Sequence, residues 1–247
     1  MSTESQSHVD APPVRIFRHR SCEGPGYLGT FLDRRGVAYE LVCVDKGIPV
    51  PMDLDGVPGL VFMGAAGSVN DPLDWIGQEL SLIRGAVERD IPVLGICFGA
   101  QLMSRALGGR VFRGERGMEI GWHPVHRVEG CDCGRWLDGL PSAIEAFHWH
   151  ADTFTLPPEA RALLASRCFA SQGFALGPHL ALQFHLEMTE KMIRNWIRLY
   201  GSDLRADTPC VQDAEAITAR LDERLAALHR SADQIYGAWL RRAGLVA

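Results

Sequence analysis

The sequence predicts an α/β fold: a mostly parallel sheet with an antiparallel extension. Three observations carry this. Short apolar strands alternate with helix-length amphipathic segments through the first hundred residues, two of those strands end in glycine-rich turns, and the middle of the chain turns to short, turn-separated strands. Residues 1–13 read as a flexible N-terminal tail ending in Pro12-Pro13. A strand over 14–17 is followed by Gly24-Pro25-Gly26 and a helix over 28–35, then a second strand over 39–44. A third strand over 59–63 ends in the turn Gly64-Ala65-Ala66-Gly67. The helix over 74–89 carries Ile76, Leu80, Ile83 and Val87 at helical spacing, with Asp74 as its cap. A fourth strand over 93–96 runs into a helix over 98–107. Strands and helices alternating at these lengths imply right-handed crossovers.

From 110 to 184 the pieces are shorter: 111–112, 120–128, 146–149, 163–167 and 180–184. They suit an antiparallel extension of the same sheet. A helix over 189–200 opens with Thr189 as cap and Glu190 in its first turn. After Ala206-Asp207-Thr208-Pro209 comes a long helix over 213–242. In it Leu221, Leu225, Leu228, Ala232, Ile235 and Trp239 recur at intervals of four and three. That stripe suits a helix folded back on the core, or a seam for a partner or a second copy in a homodimer. The organisation expected is the tail, a domain over 14–202 and a helical extension over 203–247.

The 247 residues are 47% hydrophobic and 22% charged, which describes one α/β domain with a substantial core. A net charge of −5 gives no footprint for nucleic acid. The seven cysteines (22, 43, 97, 131, 133, 168, 210) are odd in number and scattered, in a chain too large to need staples. They read as reduced. The first ten residues lack an apolar secretory core, and no apolar stretch approaches the ~20 residues that span a bilayer. A cytoplasmic protein with no membrane contact is the expectation.

The chemistry begins at Gly95-Ile96-Cys97-Phe98-Gly99. A strand, a sharp turn and a helix form a nucleophile elbow with cysteine as the nucleophile. The glycines let the backbone pass, and the helix N-terminus supplies free N–H groups that favour a thiolate. A thiolate attacking an amide needs a proton shuttle held by a third group. His185 closes the strand that precedes it, and Glu187 lies two residues on. Since parallel sheets gather functional residues at the carboxyl ends of strands, His185 and Cys97 meet at one edge. The turn Gly64–Gly67 ends another strand. An N–H there, near Ala65, together with the N–H of Phe98, would form an oxyanion hole.

Taken together, these residues resemble the class I glutamine amidotransferases, over about residues 14–200. Gly64-Ala65-Ala66-Gly67-Ser68-Val69-Asn70-Asp71 is similar to the family's oxyanion strand, Pro92–Gln101 with Ala106-Leu107-Gly108-Gly109 to its elbow, and Gln183-Phe184-His185-Leu186-Glu187 to its His-Glu signature. Glu119-Ile120-Gly121-Trp122 and His148-Trp149-His150-Ala151-Asp152-Thr153-Phe154 resemble the subgroup of the GMP synthase amidotransferase domain. The resemblance implies a three-layer, doubly wound, flavodoxin-like sheet and a Cys97-His185-Glu187 triad that cleaves the side-chain amide of glutamine through a γ-glutamyl thioester. It implies an oxyanion hole at Ala65 and Phe98, and substrate binding by Gly64, Gln101 and Trp149. Ala65 departs from the family's Gly-Gly-Pro, Leu186 from its usual proline and Ala151 from a common glycine.

No cofactor is implied. The chain has neither a P-loop nor the Ser-Gly-Gly-x-Asp motif of the GMP synthase ATP site, so the resemblance implies a stand-alone glutaminase that serves a separate ammonia-accepting synthetase. The alternatives are a free γ-glutamyl hydrolase or peptidase, and a catalytically retired binding protein of the same fold. His123-x-x-His126 with Cys131-x-Cys133 has zinc-type residues in an irregular spacing, and the expectation is no metal. His148 and His150 flank Trp149 on the opposite strand face and read as structural. His19, just after the first strand, reads as either bordering the cleft or lying at the surface.

Overall fold

The computed structural model describes residues 12–131, 134–205 and 208–246; most of the expected N-terminal tail and Cys133 lie outside them. The elements are β1 (Val14–Arg18), α1 (Gly26–Arg34), β2 (Tyr39–Cys43), β3 (Leu60–Phe62), α2 (Asp74–Glu88), β4 (Val93–Ile96), α3 (Phe98–Ala106), β5 (Val111–Arg113) and β6 (Glu119–Arg127). They continue with α4 (Gly134–Leu137), β7 (Ala143–His150), β8 (Asp152–Phe154), β9 (Arg161–Ser166), β10 (Gly173–Leu176), β11 (His179–Leu182), α5 (Glu190–Tyr200), α6 (Ala214–Thr218) and α7 (Leu221–Arg242). The main sheet has the order β2-β1-β3-β4-β11-β10-β9-β6-β7. Its first five strands run parallel and the rest antiparallel.

The sheet is covered on both faces, which is why its central strands read as unbroken apolar runs. Val14, Ile16, Val61, Leu94 and Ile96 face a core shared with α1, α5 and α7, while Phe17, Leu60, Phe62 and Val93 face α2 and α3. This is a three-layer α/β fold. All six residues of the C-terminal stripe are buried, and Trp239 is fully enclosed against Gly59, the residue before β3.

Four sequence expectations are corrected. Strand β5 leaves the main sheet and pairs with β8 in a separate two-stranded ribbon. The helix expected over 213–242 is two helices, because Arg220 adopts a left-handed φ of 52° between α6 and α7. Asp74 is the first helical residue of α2 and caps nothing; Leu73 holds the cap position without a side-chain bond. The cysteines are not all reduced, since Cys168 and Cys210 form a disulfide across 42 residues. Spacing could not reveal it, because the pair is made by the chain folding 210–212 against β6. Ile120 N–H donates to Cys210 O (2.8 Å) and Gln212 N–H to Ile120 O (3.0 Å).

Closing a loop of this length by a crosslink stabilises a fold by about 2–4 kcal/mol. Cys168→Ser should therefore lower the thermal midpoint, and a reductant should lower the wild type by more than it lowers the variant. Equal midpoints in all four samples would show the bond contributes nothing.

Candidate active site

The four residues of β4 are buried, and the strand runs straight into Cys97. Its φ of 52° and ψ of −104° are a conformation L-residues avoid, worth about 1–3 kcal/mol of strain. Backbone bonds hold it there: Cys97 N–H donates to Leu182 O (2.8 Å), and Gln101 N–H to Cys97 O (3.1 Å). Both flanking glycines are required by space. A methyl on Gly95 would lie 2.6 Å from the Gly99 backbone, and one on Gly99 2.0 Å from Phe62 O. The sulfur, on a residue only 6% exposed, is reached by Gln183 Nε2 at 3.6 Å.

His185 follows β11 by three residues. Its backbone N–H donates to Phe147 O (2.8 Å), which lays the chain against the middle of β7. Its Nδ1 lies 2.7 Å from Glu187 Oε1, and the ring stands edge-on to Trp196 at 5.0 Å. Burial opposes a charge on this ring, but the Glu187 carboxylate and the Cys97 sulfur outweigh it, and the pKa rises well above 6.5. Nε2, on the far side, is buried and has no hydrogen-bond partner among the described residues. A methyl built on Gly64 would come 3.2 Å from His185 Cε1, 3.9 Å from Cys97 Cβ and 2.7 Å from Glu23 Oε2. Thiol, imidazole and the β3 turn thus converge on one point.

The amide N–H groups of Ala65 and Phe98 have no hydrogen-bond partner among the described residues. Ala65 and Cys97 border a cleft of about 410 Å³, together with Gln101 and Trp149. Gln101 is committed to the protein: its Nε2 donates to Asp152 O (3.1 Å) and Gln183 Oε1 (3.2 Å), one step behind the thiol. Trp149 forms a wall, its Nε1 donating to Asp203 Oδ2 at 3.0 Å. Sequence reasoning missed Glu23, Gln183, Tyr200 and Asp203. Glu23 lines the cleft and accepts from Tyr200 OH at 3.4 Å. Burial raises its pKa against the pull of His185 and His19. Only the turn Gly24-Pro25-Gly26 beside it could have flagged it.

Beneath the cleft, Glu119, His148 and His150 hold ligand-type atoms within 4.8 Å of one another, all buried. The Glu119 carboxylate is taken up by protein donors: Ser166 Oγ (2.7 Å), Gln172 Nε2 (2.5 Å) and His150 Nε2 (3.1 Å). His123, from the zinc-type motif, uses Nε2 on its own strand at Ile120 O (3.0 Å). Burial drives the His148 pKa down to about 3, against the attraction of Glu119. For Glu119 burial is outweighed by His148 and the bonds from His150 and Ser166, giving about 2. Both groups bind fewer protons folded than unfolded, so stability falls as pH drops from 6.5 toward 3 for His148 and from 4.5 toward 2 for Glu119. Thermal midpoints measured from pH 7 to 4 should decline, and His148→Leu should flatten that limb. An unchanged slope in the variant would rule His148 out as its source.

The family profile Glutamine amidotransferase class-I matches residues 30–197. Gamma-glutamyl peptidase 5 of Arabidopsis thaliana is 30% identical over 176 residues, covering 68% of this chain and 70% of that protein. A glutamine-hydrolyzing GMP synthase subunit of Thermoplasma acidophilum is 31% identical over 180 residues, covering 67% of this chain and 85% of that one. A solved glutamine amidotransferase structure from Methylobacillus flagellatus superposes with a TM-score of 0.89 at 35% identity, over 93% of this chain and 94% of that one. With an elbow, a cleft and a sheet order built this way, and a match over two thirds of its length, the chain belongs to the class-I glutamine amidotransferase family.

Proposed function

We propose that the protein hydrolyses a γ-glutamyl amide by acyl transfer to Cys97, with glutamine as the simplest substrate. The observation that carries this is the convergence of a strained Cys97, the His185–Glu187 pair and the Gly64 turn at one point. Cys97 Sγ attacks the γ-carbonyl carbon, and the oxyanion forms against the N–H groups of Ala65 and Phe98. His185 Nε2, which has no competing partner among the described residues, delivers a proton to the leaving nitrogen. Water deprotonated by the same nitrogen then cleaves the thioester, releasing glutamate and restoring the thiol. Glu187 fixes the ring and favours its charged form before it gives up the proton and after it takes one from water. Gly64, Gln101 and Trp149 shape the acyl side of the cleft.

On this reading, ammonia from glutamine would pass to a separate synthetase, as suits a relative that is one subunit of a GMP synthase. A second reading, hydrolysis of γ-glutamyl compounds with larger leaving groups, is favoured by the cleft. At about 410 Å³ it extends from the thiol to Trp196, Tyr200 and Asp203, beyond what one glutamine fills. A γ-glutamyl peptidase among the relatives suits the same reading.

Release of ammonia or amine from glutamine and a panel of γ-glutamyl amides tests both readings. Turnover by the protein alone, abolished in Cys97→Ala, makes it a free γ-glutamyl hydrolase. Silence on every substrate, with Cys97 still alkylated rapidly, makes it a glutaminase gated by a partner. If neither turnover nor rapid alkylation is seen, the hydrolytic reading fails. In an active enzyme, Glu187→Gln should lower kcat by about 10²–10⁴-fold through loss of ring orientation and charge. KM should stay nearly unchanged.

A further inference from the structure

Among the described residues, His19 is the ionisable side chain that touches both halves of the oxyanion geometry, and nothing in the proposed chemistry uses it. It follows β1 and is buried, although its position in the sequence suited the cleft border or the surface. Its Nδ1 lies 3.1 Å from Met63 O and 3.3 Å from Gly64 O, the two carbonyls at the end of β3. Its Nε2 lies 3.0 and 3.1 Å from the two oxygens of Glu79 on α2. Both side chains are completely shielded from solvent. The ring stacks on Trp75 at 5.2 Å and leans on Phe98 at 5.1 Å.

The partners on each ring nitrogen are acceptors: carbonyls on one side, a carboxylate on the other. Facing a carboxylate anion and two carbonyls, both nitrogens donate, as only an imidazolium can. The electrostatics agree. Burial works against the charge, but Glu79 outweighs it and the His19 pKa is raised. An ion pair sealed in the interior offsets its desolvation only with good geometry and hydrogen-bonded polar atoms, and here each ring nitrogen and each carboxylate oxygen lies within 3.3 Å of a partner.

The Gly64 carbonyl and the Ala65 N–H are opposite ends of one trans peptide plane. Anchoring the oxygen fixes the rotation of the plane and so the direction of the N–H. Donation from a cation to that oxygen also polarises the amide and strengthens its N–H as a donor. On the other half of the hole, the Phe98 ring packs on the same imidazole, so the residues carrying both donors are referenced to one side chain.

We infer that His19, held by Glu79, is a positioning residue that aims the Ala65 N–H at the oxyanion. The inference rests on the hydrolytic reading above. It suits a turn in which Ala66 stands where the family's Gly-Gly-Pro has proline: the turn is held from beneath, by a buried ion pair, rather than by a proline within it.

The test compares two alkylating reagents at Cys97. A chloromethyl ketone analogue of glutamine that keeps the carbonyl at the position of the amide carbon (2-amino-6-chloro-5-oxohexanoate) reacts through attack on that carbonyl, and so draws on the hole. The sulfur then bonds to the terminal carbon and chloride leaves. Iodoacetamide forms no oxyanion. Because removing one member of a buried pair strands the other, the principal variant replaces both: His19→Leu with Glu79→Leu, an apolar exchange of the kind buried pairs tolerate. Its chloroketone rate should fall at least about tenfold while its iodoacetamide rate stays within about twofold of wild type, as for a misaimed oxyanion donor. On a γ-glutamyl anilide its kcat should fall by a similar factor with KM little changed.

Glu79→Gln keeps a neutral His19 that still donates through Nδ1, and should stay within about threefold of wild type on the chloroketone, since one donor's aim is preserved. A double variant that melts cooperatively yet reacts with the chloroketone like wild type overturns the inference. So does one in which both reagents slow together, since that is loss of structure, not of aim. If wild-type Cys97 itself shows no preference for the chloroketone and no substrate turns over, the hydrolytic reading has failed and the inference falls with it.

Discussion

The site depends on one close approach between backbones. The first turn of α3 lies so near β3 that a methyl on Gly99 would sit 2.0 Å from Phe62 O. Strands β3 and β4 are hydrogen-bonded neighbours, and one carries the Gly64 turn at its end while the other carries Cys97. Pressing α3 onto β3 therefore sets how far the thiol and the Phe98 amide stand from Ala65. Strand β11 lies on the other side of β4 and brings His185 to the same edge. Three adjacent parallel strands thus bring the Gly64 turn, Cys97 and His185 into one row. The spacing is that of the sheet itself, about 4.8 Å per strand. Loops need supply only the last few atoms.

Charge is arranged around this row in closed sets. Gly64 has His185 near its Cα and His19 at its oxygen, and each imidazole has its own carboxylate, Glu187 and Glu79. Glu119 is enclosed separately by Ser166, Gln172 and His150. Donors meet both oxygens of Glu79 and of Glu119, as burial requires, whereas Glu187 is met on Oε1 alone and its Oε2 has no partner among the described residues. Glu23 departs from this pattern: its hydrogen bond from Tyr200 is long, and its other oxygen faces Gly64.

Sequence reading reached the elbow, His185 and Glu187 because each sits where an apolar run stops, and a run that stops at a chemically active residue is a local signal. It failed where the partner is distant. In α2 the stripe Ile76, Leu80, Ile83, Val87 is displaced, and the fully buried positions include Glu79 while Leu80 and Val87 are partly exposed. A glutamate on the inner face has no explanation until His19, sixty residues earlier, lies against it. Arg220 breaks the C-terminal helix without glycine or proline to announce it. Strands β8 and β10 are three and four residues long and depend on pairing, not on pattern. The Cys168–Cys210 bond was hidden by an odd cysteine count.

The C-terminal helix also reaches the segment that carries His185 and Glu187. His229 on α7 contacts Met188 O through Nε2 at 2.8 Å, immediately after Glu187, and stacks on Tyr27 of α1 at 3.6 Å. Tyr27 N–H in turn donates to Glu187 O at 2.8 Å. Helix α7 cannot lift from the face without releasing both ends of the segment that orients His185. The last helix and the 185–188 segment are thus tied into one cooperative unit, in which opening one end loosens the other.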